Sequence, residues 1–227
     1  MITFILVKQK PYSQTLSAIF IDDMSTIKTI IIILLTSLTA WGQTTRWADF
    51  EKAWDNYLIK PTHDNSVKAY NLLPNKVMGS DYPDGGQTGR IFSKIYQLDK
   101  LVQQGNRDAL RLAFRLFTIA DGEYAEGLQI EIGKLINSNP RLFLQELKNH
   151  RRLIVSIDGV VGNLGPDYVE ELELNKKETE KRIKSLKQVV DKDLIETRDK
   201  CLTELDRQLK KGELETRQQI AAICNGG

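Results

Sequence analysis

With only two histidines and two cysteines in 227 residues, the sequence is short of the side chains that hold transition metals. Zinc sites draw several ligands from this set at close spacing. Neither histidine lies near a cysteine, so no metal ligand, and with it no cofactor, is assigned. Charge of one sign is also missing: the formal net charge is +2. Nucleic-acid affinity comes largely from a basic face meeting phosphates, so no nucleic-acid partner is expected. Six prolines and fifteen glycines follow no period, which excludes collagen-like and low-complexity chains. With 27% charged and 41% hydrophobic residues the chain is too charged for a polytopic membrane protein and apolar enough to build a core.

The first informative segment follows Met24. Lys28 is a positive n-region, the aliphatic run from Thr29 to Leu38 an h-region, and Ala40 and Gly42 are the small residues that signal peptidase requires. Residues 24–42 therefore read as a signal peptide, with cleavage near Gly42/Gln43 and a secreted or periplasmic destination. The uncharged stretch from Thr29 to Gln43 is shorter than the about 20 residues that span a bilayer, so no span is expected in the mature chain. Residues 1–23 place Asp22 and Asp23 directly before Met24, which reads as an upstream extension from a mis-assigned start; a long n-region carrying Lys8 and Lys10 is the alternative.

The rest reads as all-α. Trp47, Phe50, Trp54, Tyr57 and Leu58 fall on one face of a helix ending before Pro61. A short helix near Asn65 to Leu73 follows, then a loop from Asn75 to Gly89 rich in glycine, proline and aspartate, then a helix near Arg90 to Gln104. The loop is not a phosphate loop, because Gly86 is followed by Gln87-Thr88-Gly89-Arg90 and not by Gly-Lys-Ser/Thr. Nor does it bind calcium: Asp81 and Asp84 are three apart and not at alternating positions. Three helices are expected at Asp108 to Ala120, Glu123 to Asn137 and Pro140 to Asn149, with Asp121 and Asn139 at cap positions. Short links make them antiparallel neighbours. The stretch from Arg107 to Asn149 resembles the stacked helix pairs of HEAT-like solenoids, which implies an architecture and no activity. Gly127 and Gly133 mark close helix packing. Leu153 to Ile157 is β-branched and reads as an isolated extended segment or a helix end.

Residues 43–165 thus form a helical domain, and 166–227 a charged C-terminal helical hairpin packed on it or extending from it. The latter holds 13 basic and 14 acidic residues with interspersed signs. Ile183, Leu186, Val190, Leu194, Cys201, Leu205 and Leu209 form a narrow apolar seam like that of an antiparallel coiled coil. A turn at Gly212 would bring Cys201 level with Cys224, and an exported protein would oxidise the pair. The resulting loop of about 23 residues would contribute about 3 kcal/mol.

Chemistry is sparse. His63-Asp64 matches the dipeptide that names HD-type phosphohydrolases, but those sites need more histidines on separate helices and only His150 remains. No Gly-x-Ser-x-Gly elbow is present. Asp121, Glu123, Tyr124 and Glu126 cluster at a helix start, where acidic side chains complement the helix dipole; paired carboxylates there would also suit a secreted hydrolase. With Asp81, Asp84 and Arg90 of the glycine-rich loop they form the candidate functional surface, and no catalytic residue is assigned. The expectation is an exported noncatalytic interaction or adaptor module of the cell envelope with a protein partner, the alternatives being that hydrolase or a small-ligand carrier.

Overall fold

The computed structural model describes residues 46–76, 81–168 and 171–225, the last eleven as backbone only. The expected signal peptide and upstream extension, residues 1–42, lie outside them. Every regular element among the described residues is helical. Helix α1 (46–59) buries Trp47, Phe50, Trp54 and Tyr57 on the face that their spacing defines. Trp54 Nε1 donates to the Ile91 carbonyl at 3.2 Å, so the buried indole is satisfied.

Capping chemistry sets the next boundaries. Thr62 opens α2 (His63–Leu72) by accepting from the Asn65 amide. Asp84 opens α3 (Gly85–Phe92) with a capping box that uses Gln87. The glycine-rich segment is therefore shorter than its composition suggests, because Gly85, Gly86 and Gly89 are helical. The expected Arg90 to Gln104 helix is broken at Ser93 and Lys94, leaving α4 as Ile95–Gln103. Gly105, at φ +78°, then reverses the chain. Its amide donates to Val102 and the Asn106 amide to Leu101, which satisfies the last carbonyls of α4. The Asn106 side chain caps α5 (Arg107–Leu116).

Helix α5 is buried almost all round through Ala109, Leu110, Leu112, Ala113, Phe114 and Leu116, as a central helix must be. It packs on α2, α4, α6 (Gly122–Ser138) and α7 (Pro140–His150). Asn139 caps α7 as expected, accepting from the Leu142 amide with Pro140 behind it. Asp121 occupies the cap position of α6 without making the side-chain bond.

The β-branched segment resolves as a 3-10 turn (Arg151–Leu153) and a short helix α8 (Ile157–Gly162). Helix α8 is held by close backbone approach. A Cβ on Gly133 of α6 would lie 2.6 Å from the Val160 carbonyl oxygen, and one on Gly162 would strike the Gln208 side chain. Gly127 has no atom within 4 Å of its Cβ position and marks no such contact. Arg182, 2% exposed, donates to the Val161 carbonyl at 2.7 Å and so caps the end of α8 from a neighbouring helix. Burial lowers its pKa to about 10.

The C-terminal hairpin is built from α9 (Leu172–Lys187) and α10 (Ile195–Asn225), and it turns at residues 188–194, not at Gly212. Gly212 lies inside α10 with open space around its Cβ position. Cys201 and Cys224 therefore sit on one continuous helix, about 34 Å apart along its axis at about 1.5 Å per residue. The disulfide Cys201–Cys224 does not form in this arrangement, and Cys201 is a buried free thiol. The seam contains Ile183, Leu186, Leu194, Cys201 and Leu205, but Val189 takes the place expected for Val190, which is 76% exposed. Both helices share the core of the preceding ones, α9 packing on α6 and α10 on α8.

Candidate docking groove and buried polar junction

The glycine-rich candidate surface is occupied with holding the fold. Asp84 spends its carboxylate on the α3 cap, and the Asp81 carbonyl accepts from Trp47 Nε1 at 3.0 Å. Arg90 makes a two-pronged bond to Glu51 of α1 at 2.7 and 3.1 Å, and nearby Lys94 reaches Asp55 at 2.5 Å. These contacts tie α3 to α1. The second candidate cluster adjoins the first through Tyr124, whose ring stacks on Phe92 with centroids 4.4 Å apart. Asp121, Glu123 and Glu126 are exposed, and Asp121 meets the first turn of α6 through its carbonyl, which accepts from the Tyr124 and Ala125 amides. The geometry thus joins the two patches by an aromatic stack.

A concave surface lies elsewhere. The segment 151–158 and the first three turns of α10 enclose an open groove of about 550 Å³. Val155, fully exposed, stands on one wall above the largely buried Ile157, while Ile154 turns into the core. Glu196, Asp199, Lys200, Thr203 and Glu204 form the other wall at helical spacing. Acidic side chains outnumber basic ones in the lining: Asp158, Glu196, Asp199 and Glu204 against Arg151 and Lys200. Lys200 is engaged by Glu196 at 2.6 Å. Arg207 reaches Glu204 at 2.8 Å and Asp158 at 3.4 Å. The Asp158 carboxyl is held below its ordinary pKa by the Ser156 hydroxyl first, and by the Gly159 amide and Arg207 in addition. Cys201 is wholly buried on the same helix, and burial pushes its thiol up to about 12, away from the thiolate form.

A polar junction that sequence reasoning missed sits between α2, α5 and α7. His150, 6% exposed, uses Nδ1 to donate to the Glu146 carbonyl at 2.9 Å and Nε2 to accept from the Tyr70 hydroxyl at 3.2 Å. Burial lowers its pKa, so the ring is neutral at pH 7. Glu146, 1% exposed, takes Arg107 Nε at 2.6 Å. Arg111 and Arg115 lie over the Tyr70 ring at 5.3 and 5.0 Å from its centroid. Two signals were present in the sequence: a glutamate four residues before a histidine, and arginines at 107, 111 and 115. The approach of Tyr70 is tertiary and had none. His63, for its part, pairs with Asp108 on α5 at 2.9 Å and not with its neighbour Asp64.

No group of three or more histidine, cysteine, aspartate or glutamate side chains among the described residues is placed to hold a metal ion, and no helix there is long and apolar enough to cross a membrane. No protein-family model, curated protein or solved structure matches the chain.

Proposed function

We propose that the protein is an exported, noncatalytic interaction module of the cell envelope, and that the groove between residues 151–158 and α10 receives a segment of a partner protein. The observation that carries this reading is the groove itself: a fully exposed valine on one wall and a helical row of ion-paired side chains on the other. Scattered exposed valines are ordinary, but one beside a concavity large enough for several side chains offers an anchor point. The ion pairs along this part of α10, Glu196 with Lys200, Asp199 with Arg198 and Glu204 with Arg207, select a partner segment that brings polar side chains around an apolar one. Export rests on residues 24–42, with cleavage before Gln43.

The test is a crosslinked pull-down from the native cell envelope. It compares wild-type protein with a charge-reversed groove, Glu196→Lys with Asp199→Lys and Glu204→Lys. Glu196 and Asp199 are exposed on α10 and Glu204 is half-buried at the rim, outside the core, so the variant should retain its helical circular dichroism. A partner captured by the wild type and lost from the folded variant supports the groove. Equal capture by both refutes it, and an intact mass that retains residues 24–42 refutes export.

A further inference from the structure

We infer that the Asp121-Gly122 bond at the start of α6 is a site of spontaneous covalent modification, where the aspartate converts through a cyclic imide to an isoaspartyl linkage. This does not rest on the groove. The chemistry belongs to an aspartate followed by glycine. The glycine amide nitrogen attacks the uncharged side-chain carboxyl. A bond forms from that nitrogen to Cγ, the Cγ–OH bond breaks, and the hydroxyl leaves with the amide proton as water. Water then adds to the main-chain carbonyl carbon of the ring and breaks its bond to the glycine nitrogen. The chain now runs through the former side chain and the α-carboxyl is free. One water leaves and one returns, and nothing is oxidised or reduced.

The chain has three such pairs, Asp84-Gly85, Asp121-Gly122 and Asp158-Gly159, and the fold restrains two of them. The Asp84 carboxylate accepts from the Gln87 amide at 2.7 Å, and the Gln87 side chain accepts from the Asp84 amide at 3.3 Å, so carboxyl and backbone are both fixed. The Asp158 carboxylate is held by the Ser156 hydroxyl, the Gly159 amide and Arg207, which favour the charged form that the amide does not attack. Its backbone lies within α8. Asp121 has neither restraint. It is exposed, sits at the cap position of α6 with extended dihedrals (φ −134°, ψ 167°), and makes no side-chain cap bond. The Gly122 amide opens α6 and so has no intrahelical acceptor. Gly122 stands at φ +43°, where side chains are strained, and nothing lies within 4 Å of its Cβ position. The turn into α6 therefore demands the residue that leaves the attacking nitrogen unshielded. The Asp121 carbonyl accepts from the Tyr124 and Ala125 amides, so rerouting the backbone there loosens the first turn of α6 beside the Tyr124–Phe92 stack.

The full chain is aged in mildly acidic buffer, folded and, in parallel, unfolded in guanidinium chloride. Isoaspartate is counted with an isoaspartyl methyltransferase and a labelled methyl donor. It is located by mass spectrometry after digestion with endoproteinase Asp-N, which cuts before aspartate and not before isoaspartate. The Asn225-Gly226 pair, which reaches the same product by deamidation, falls on a separate peptide. In folded protein, isoaspartate is expected at position 121 at least tenfold faster than at 84 or 158, and in denaturant the three rates should converge. Ser156→Ala with Arg207→Gln should speed the reaction at 158 and leave 121 unchanged. The Tyr124 and Ala125 amides should exchange hydrogen faster in proportion to the isoaspartate formed. A folded-state rate at 121 no greater than those at 84 and 158, or a threefold ranking that persists unchanged in denaturant, overturns the assignment.

Discussion

Replacing Gly133 by alanine tests how closely α8 is seated, and therefore what shapes the groove. The added Cβ would stand 2.6 Å from the Val160 carbonyl oxygen and 3.0 Å from Arg182 Nη1. The first contact is with backbone, so no rotamer relieves it, and α8 must move away from α6. Overpacking of this kind costs about 1–3 kcal/mol. Displacing Arg182 from the Val161 carbonyl endangers a charge-assisted bond of about 1.5–3 kcal/mol. Against this stands the helix-propensity gain of alanine over glycine, about 1 kcal/mol. The balance is a net loss of about 2–4 kcal/mol, which for a domain of this size lowers the melting temperature by roughly 5–15 °C. Gly127 on the same helix is the internal control. Nothing lies within 4 Å of its Cβ position, so Gly127→Ala should raise stability by about 0.5–1 kcal/mol. Scanning calorimetry of the two variants decides the matter. Shifts of the same sign would show that α8 does not press on α6 as described.

The remaining predictions concern protons and thiols. Glu131 is pushed up to about 7 by burial and by the neighbouring Asp99, against the pull of Lys134. Between the ordinary value of 4.5 and about 7 the folded state therefore holds a proton that the unfolded chain has lost. Its contribution is full below the lower value and disappears as pH rises through the upper one, worth about 1–2 kcal/mol after solvent screening. Asp99→Asn should flatten that pH dependence in urea denaturation, and an unchanged slope would contradict the pairing. Cys201 should react with a thiol reagent only when the protein unfolds, since it is wholly buried and its thiol is pushed up to about 12. Denatured, unreduced protein in which Cys201 cannot be alkylated would restore the disulfide that the continuous α10 replaces.

Much of the helical layout was legible because it is written in local chemistry. The stripe from Trp47 to Tyr57, the Asn139-Pro140 cap and the glycine at 133 each state their role through spacing or residue type. Errors arose where tertiary contact overrode composition. Gly212 reads as a turn in isolation, yet α10 runs through it, held from Ile195 onward by burial of Cys201 and Leu205 against α8 and α9. Asp84 and Gln87 turn a glycine-rich loop into the start of α3, a capping box that the density of glycine and proline conceals. The groove was not legible at all, because its walls are about 40 residues apart in the chain and meet only after α8 is seated. Tyr70 and His150 meet for the same reason, across 80 residues.

The central claim is that the groove beside Val155 is where a partner docks. A photo-crosslinking amino acid placed at Val155, and separately at Ile59 of α1, which is 83% exposed, tests it most directly in the cells that make the protein. The account predicts an adduct from position 155 alone, mapping by mass spectrometry to one partner segment that carries an apolar residue. Equal labelling from both positions, or none from 155 in folded protein, would contradict it.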